Sequence, residues 1–447
     1  MRKIFISITA LAAIYAAAQT TTQKRWTLKE CITHAIENNI TIKQKDNSRR
    51  MQEIQLSTDR NSRLPGVDAS IGQNISFGRG LTSQNTYTNT NTSSTSFNIG
   101  ASLPLFTGMR IHNSIQLDRL NLEAATADLE KAKNDISVQV TEAYVQILYA
   151  TEITATAHRQ TEIDSMQAER IRIMFENGKA SESQLSQQKA AMAQSTLTAT
   201  QAENNLKMAV LTLSQLLELP SPEGFAVEPP DTDNTPGTAD IRKNTLPSPD
   251  MIYAEATAIK PEIRAETLRL KASDNRIRIA RAALYPQLSL NGGTGTNYYT
   301  TSGHETDAFG KQIKNNFSQY IGLSLNIPIF NRFATRNSIR AAKIERENQI
   351  LLLTNTQKNL YKEIQQAYYN TIAAESKYNS SMTAEKSSLD AFTLTKAKYE
   401  NGKAGITEFN EAKNNWLKAQ SDMIQAKYEY MYQKSLIEFY RGKNISF

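Results

Sequence analysis

Along most of the chain the apolar positions recur with a helical or coiled-coil period. From Met109 to Asn177 and from Asn331 to Asn401 there is neither Gly nor Pro, which predicts two unbroken helices of about 100 Å at 1.5 Å per residue. Ile115, Leu122, Leu129, Ile136, Ala143, Ala150 and Ala157 recur every seven residues, and Leu353, Leu360, Ala367 and Ala374 keep the same phase in the second stretch. Such a seam specifies coiled-coil-like packing along the helices. Shorter helical patterns cover Thr27 to Ser62, Ser181 to Leu219, Pro249 to Leu284 and Thr407 to Tyr440, so two half-length helices stacked end to end match one long one. At Asn177-Gly178 and Asn401-Gly402 each long helix doubles back on its follower, with Gly supplying the left-handed cap.

Four stretches have strand period instead. Val67, Ala69, Ile71, Ile75 and Phe77 alternate with polar or small residues, as do Phe97, Ile99, Ala101, Leu103 and Leu105, then Ile321, Leu323, Leu325, Ile327 and Ile329, and more weakly Leu288 to Tyr298. Each spans the roughly 9 to 11 residues a tilted strand needs to cross a bilayer. A half-buried strand in a soluble sandwich alternates in the same way. The connections favour a barrel: Gly78 to Ser96 and Tyr299 to Asn316 are rich in Ser, Thr, Asn and Gly, as outward loops of outer-membrane barrels tend to be. Four strands cannot close a barrel, and lipid does not tolerate an open edge, so the barrel is expected to be shared between chains. Two, three or four chains all satisfy that requirement.

The chain is duplicated. Leu103-Pro104-Leu105-Phe106 returns as Ile327-Pro328-Ile329-Phe330, Ala143-Tyr144 as Ala367-Tyr368, and Asn177-Gly178-Lys179-Ala180 as Asn401-Gly402-Lys403-Ala404, all 224 residues on, whereas Leu64-Pro65 returns as Tyr285-Pro286 after 221. Seven of the twelve prolines crowd the junction between the halves, which marks a linker or irregular belt. Residues 19–219 are thus read as the first repeat, 220–249 as the linker or equatorial segment and 250–447 as the second repeat. Residues 1–18, with Arg2 and Lys3 before an apolar stretch and Ala16-Ala17-Ala18 before Gln19, read as a secretory signal.

Composition removes several alternatives. Among 447 residues, 39% are hydrophobic and 21% charged, with no apolar run long enough for a polytopic helical transporter. Cys31, the one cysteine, cannot form an internal disulfide, and its place in a helical stripe with Leu28, Ile32, Ala35 and Ile36 marks it as a packed small side chain. The four histidines are too far apart for a histidine metal motif. The excess of 7 positive charges is scattered and gives no basis for binding nucleic acid. Asn177-Gly178-Lys179 lacks the upstream Gly of a phosphate loop, and Gly293-Thr294-Gly295 does not continue as a dinucleotide fingerprint. No enzyme, cofactor or metal is expected.

The chain resembles the TolC-like outer-membrane efflux protein family. The likeness is carried by Trp26-Thr27-Leu28-Lys29-Glu30-Cys31-Ile32 with Ala35-Ile36-Glu37-Asn38-Asn39, by the paired Leu-Pro-Leu-Phe and Ile-Pro-Ile-Phe strand ends, and by Tyr399-Glu400-Asn401-Gly402. It implies a mainly α fold with a transmembrane β-barrel: a homotrimer with a twelve-stranded barrel in the outer membrane, continuing into a periplasmic helical barrel. Such a protein serves as the exit duct of an efflux or type I secretion system, joined to an inner-membrane pump by a periplasmic adaptor. The many Gln, Ser, Thr and Asn residues of Ser181 to Leu219 suit one face on a wet lumen.

The resemblance also implies pore-lining acidic rings at Glu408 and Glu411, where three carboxylates per ring would form a cation-attracting constriction. It makes Tyr399 a gate residue. Gln184 stands where the family has an acidic partner and Ala404 where it has an arginine, so the expected latch is a neutral hydrogen bond from Tyr399 to Gln184. The tips Asn177-Gly178-Lys179 and Asn401-Gly402-Lys403 are expected to dock the adaptor, being about 100 Å of helix away from the strands. The competing reading is a soluble periplasmic coiled-coil structural or adaptor protein, which leaves the strands unexplained.

Overall fold

The structure, a computed structural model, describes residues 25–81, 85–89, 91–230 and 246–445. The expected leader, 1–18, and half of the proline-rich linker, 231–245, lie outside the described residues. In chain order the elements are β1 (Arg25–Trp26), α1 (Leu28–Asn38), α2 (Ile40–Asn61), β2 (Gly66–Ser76), β3 (Arg79–Leu81), β4 (Tyr87–Asn89), β5 (Thr92–Phe106), α3 (Arg110–Glu176), α4 (Glu182–Leu216), β6 (Ala226–Val227), α5 (Pro249–Ile259), α6 (Pro261–Ala282), β7 (Gln287–Thr301), α7 (Phe309–Asn315), β8 (Ser318–Asn326), α8 (Ala334–Glu400) and α9 (Ile406–Tyr440). The fold is mainly helical. Helices α3 and α8 both have 67 residues and α4 and α9 both 35, so the 224-residue repeat holds to the residue. None of the described helices is long and apolar enough to cross a membrane.

The chain forms two compact units, one taking the residues up to Asp46, Leu129–Pro261 and the chain from Gln357 onward, the other Asn47–Asp128 and Glu262–Thr356. Each unit draws on both repeats.

In the first unit, α1 opens with a capping box: the Glu30 N–H donates to the Thr27 hydroxyl at 3.2 Å, and the Thr27 N–H donates to the Glu30 carboxylate at 3.0 Å. The sequence pattern predicts one helix over Thr27 to Ser62, and the structure breaks it at Asn39, which is extended at φ −59° and ψ 132°. The Asn39 side chain fixes the break, accepting the Thr41 N–H at 2.9 Å and donating to the Leu216 carbonyl at 3.0 Å. The helix predicted from Pro249 to Leu284 breaks likewise at Lys260, φ −69° and ψ 126°, because Pro261 disfavours helical backbone at the residue before it. Cys31, Ala35, Val140, Tyr144, Leu213 and Leu217 belong to one buried core. Burial pushes the Cys31 thiol up to about 12. The Tyr144 hydroxyl donates to the Glu228 carbonyl and lies 3.3 Å from the Trp26 carbonyl. It thereby holds the short parallel pairing of β1 with β6, which no local sequence pattern announces.

The second unit carries a four-stranded antiparallel sheet in the order β2-β5-β7-β8. Its edges are β2 and β8, and every residue of both strands is exposed. Val67, Ile71 and Ile75 on β2 and Ile321, Leu323 and Leu325 on β8 are among the large exposed side chains, an apolar surface that water penalises by roughly 25 cal/mol per Å2. The connections hold structure the sequence pattern did not predict. β3 pairs with β4, and α7 is fastened to β7 by reciprocal 3.0 Å hydrogen bonds between the Gln312 amide and the Tyr299 backbone.

In the same unit, burial and the neighbouring Asp59 carboxylate raise the pKa of the buried Asp118, against smaller opposing effects from Asn121 and Gln55. A carboxyl whose folded pKa is raised favours the fold below the ordinary carboxylate range, and that contribution is lost as pH rises through the raised value. Asp118→Asn should therefore melt above the parent at pH ~7, with the gap closing toward pH ~4. Thermal midpoints recorded across that range check the sign.

Candidate functional site

Each hairpin tip is built by backbone capping. The Gly178 N–H donates to the Phe175 carbonyl at 2.9 Å and the Lys179 N–H to the Met174 carbonyl at 2.7 Å; Gly402 and Lys403 repeat this on Tyr399 and Lys398 at 3.0 and 2.8 Å. This is a Schellman motif, which needs a left-handed residue after the cap, and Gly178 and Gly402 have φ of +68° and +69°. Asn177 and Asn401 each donate a side-chain N–H to the carbonyl four residues back, at 2.7 and 2.8 Å. The Asn-Gly-Lys pair singled out in the sequence is thus two copies of one exposed corner. A Cβ at either Gly meets nothing within 4 Å.

Tyr399 ends an aromatic column between α8 and α9. Its ring lies 4.9 Å from Phe409, which packs on Phe392, and Phe392 stacks on Trp416 at 5.2 Å. Burial raises the Tyr399 pKa, and the Arg170 guanidinium, 5.3 Å from the ring centroid, opposes that rise. Among the described residues no hydrogen bond joins Tyr399 to Gln184 within one chain. The Gln184 side-chain carbonyl accepts the Ser181 N–H at 2.9 Å in a capping box that starts α4. The cation at Tyr399 is therefore Arg170, far away in sequence; the expected arginine position, Ala404, suggested none.

Glu408 and Glu411 are exposed. With Ser387, Ser388, Ala391, Ala412 and Asn415 they line an open groove of about 320 Å3 between α8 and α9. The equivalent groove between α3 and α4 is filled. There Lys413 of α9 forms an ion pair with Asp164, both side chains being 2% exposed, while the Gln160 amide donates to the other Asp164 oxygen at 2.5 Å. Asn410, one turn before Lys413, donates to the Gln188 side chain at 3.4 Å. Gln188, one of the many polar residues of α4, is fully buried. Further along, Lys427 and the Tyr428 hydroxyl donate to Glu152 at 2.9 and 2.7 Å. Asp164, Lys413, Gln188 and Arg170 escaped sequence reasoning. The one signal that could have found the ion pair is the repeat, which puts Ser388 opposite Asp164 while keeping Lys189 opposite Lys413.

Among the described residues, no group of three His, Cys, Asp or Glu side chains is placed to hold a metal ion. Of acidic side chains among the described residues, Glu408 and Glu411 line the open groove.

Comparison with known proteins agrees with this architecture. Protein CyaE of Bordetella pertussis is 26% identical over 307 residues, covering 67% of this chain and 61% of that protein. The outer membrane efflux protein BepC of Brucella suis is 23% identical over 71% of this chain and 63% of its own length. The chain thus matches less than two thirds of the length of these relatives. Among solved structures, the CmeC outer membrane channel of Campylobacter jejuni superposes with a TM-score of 0.76 at 19% identity, covering 94% of this chain and 87% of that one. VceC of Vibrio cholerae gives 0.75 at 15%, over 94% and 97%. At such identities the likeness is one of fold. The sequence model of the outer membrane efflux protein family matches twice, over residues 31–218 and 252–438, once in each repeat, and the chain belongs to that family of outer-membrane proteins.

Proposed function

We propose that the chain is the outer-membrane exit duct of an efflux or secretion system, assembled from three copies whose sheets close one twelve-stranded barrel and whose helices enclose one tunnel. The observation that carries this reading is the four-stranded sheet whose two edges are unpaired among the described residues and carry exposed aliphatic side chains. Lipid accepts strands only when every ladder is closed, and side-by-side copies close it. A soluble coiled-coil adaptor has no use for such a sheet. In this reading the inner-membrane pump hands its substrate through a periplasmic adaptor that docks on the Asn-Gly-Lys tips, residues 1–18 are the leader and residues 220–249 an equatorial belt between the repeats. Fractionation tests the reading: the protein should stay with outer membranes until detergent releases it as a threefold particle. Recovery in the soluble periplasm without detergent would sink it.

Tyr399 and Gln184 belong to the gate in this proposal, and Glu408 and Glu411 to stacked acidic rings. Six carboxylates on one water column would attract divalent and trivalent cations, which should block single-channel current from the periplasmic side. Glu408→Gln with Glu411→Gln removes the charge at exposed helix positions. Conductance should survive in that variant while block is lost. Undiminished block would place the constriction elsewhere.

A further inference from the structure

We infer that Lys189 is an assembly contact that enters the open α8–α9 groove of a second copy and packs against Ser388. The inference rests on the multi-chain reading only in needing a second copy. It comes from internal symmetry. Within one chain, the α3–α4 groove is occupied by α9 through Asn410 and Lys413, which reach Gln188 and Asp164. The repeat maps α3 and α4 onto α8 and α9 residue for residue, because the paired helices have equal lengths and identical turns. It also maps α9 onto α4, with Lys413 falling on Lys189. What fills the first groove therefore has a counterpart for the second, and that counterpart can come only from another copy. A chain that offers a knob at one place and an empty matching groove at another makes a head-to-tail contact, the kind that closes into rings.

The chemistry of the two grooves differs in a way that sets their order. The intrachain groove supplies a buried carboxylate, Asp164, directly to Lys413. In the open groove the matching residue is Ser388, whose hydroxyl can accept a hydrogen bond from an ammonium group. Lys189 is exposed in the single chain and so can reach that groove when copies meet. A polar contact of this sort fixes register more than it adds affinity.

The test uses thiol pairs in the full-length protein in its native membrane, where the buried Cys31 remains as it is. Lys189→Cys with Ser388→Cys, treated with a bifunctional thiol reagent of about 8 Å span because a direct disulfide needs closer backbones, should give covalent dimers and closed trimers. Their yield should exceed that of either single variant by about tenfold, as expected for thiols held at high effective concentration. Lys427→Cys with Glu152→Cys, at positions paired within one chain at 2.9 Å and 25% and 38% exposed, is the control and should link within one chain, with no increase in mass. If the control links and the protein is oligomeric but the Lys189–Ser388 pair does not join copies, the inference is overturned while the exit-duct reading stands. If the extracted protein is a monomer, both fall.

Discussion

Lys413→Ala is expected to destabilise the protein by about 3–5 kcal/mol, because it leaves the Asp164 carboxylate buried with its charge partner gone. Lys413 and Asp164 are each only 2% exposed, so water cannot replace the lost ammonium, and Gln160 covers only one of the two carboxylate oxygens. Asp164→Ala should cost a similar amount by stranding the ammonium. Lys413→Met combined with Asp164→Leu removes both charges, keeps volume, and should lie within about 1–2 kcal/mol of the parent. Loss of helical circular dichroism on heating in detergent separates these cases. A single variant that melts with the parent would mean that the pair is solvated in the assembled protein and is not a structural tie between α3 and α9.

The second large effect is on transport. Gly178→Trp and Gly402→Trp should abolish export while leaving the assembled particle intact. Both glycines have positive φ, so any side chain there costs roughly 1–2 kcal/mol of backbone strain. Nothing within 4 Å of the Cβ adds a clash inside the chain. Gly178→Ala and Gly402→Ala carry the same strain without the bulk and serve as the comparison. If tolerance to a panel of toxic compounds falls to the level of a deletion strain for Trp and stays near normal for Ala, the obstruction lies in what meets the tip from outside. Normal tolerance in the Trp variants, at unchanged protein level, would remove the tips from the docking surface.

Much of the fold was legible because local periodicity and the repeat reported the same elements. The absence of Gly and Pro gave α3 and α8 to within three residues of their observed ends, and six of the seven predicted seam positions of α3 are buried, with Leu122 half-buried. The breaks at Asn39 and Lys260 were harder. Asn39 interrupts a helical pattern without Gly or Pro, and its reason is tertiary: the Leu216 carbonyl that its side chain reaches. The Pro261 signal at the second break was present in the sequence and passed over. At the site, the Schellman corners were legible as Asn-Gly, whereas Arg170 over Tyr399 and Lys413 against Asp164 depend on which helices lie side by side. A lysine inside a polar helix carries no mark of being buried until its neighbours are known.

The unpaired β2 and β8 edges also bear on genetics. On the three-chain reading no copy can complete its own sheet, so a defect in one edge strand is inherited by every ring that copy joins. In a cell making normal and β8-disrupted chains in equal amounts, only about one ring in eight would be free of the defect if mixing is random. Edge-strand mutations would then behave as dominant alleles. Mutations confined to the core of the first unit, which stop a chain from folding before it meets the others, would behave as recessive ones.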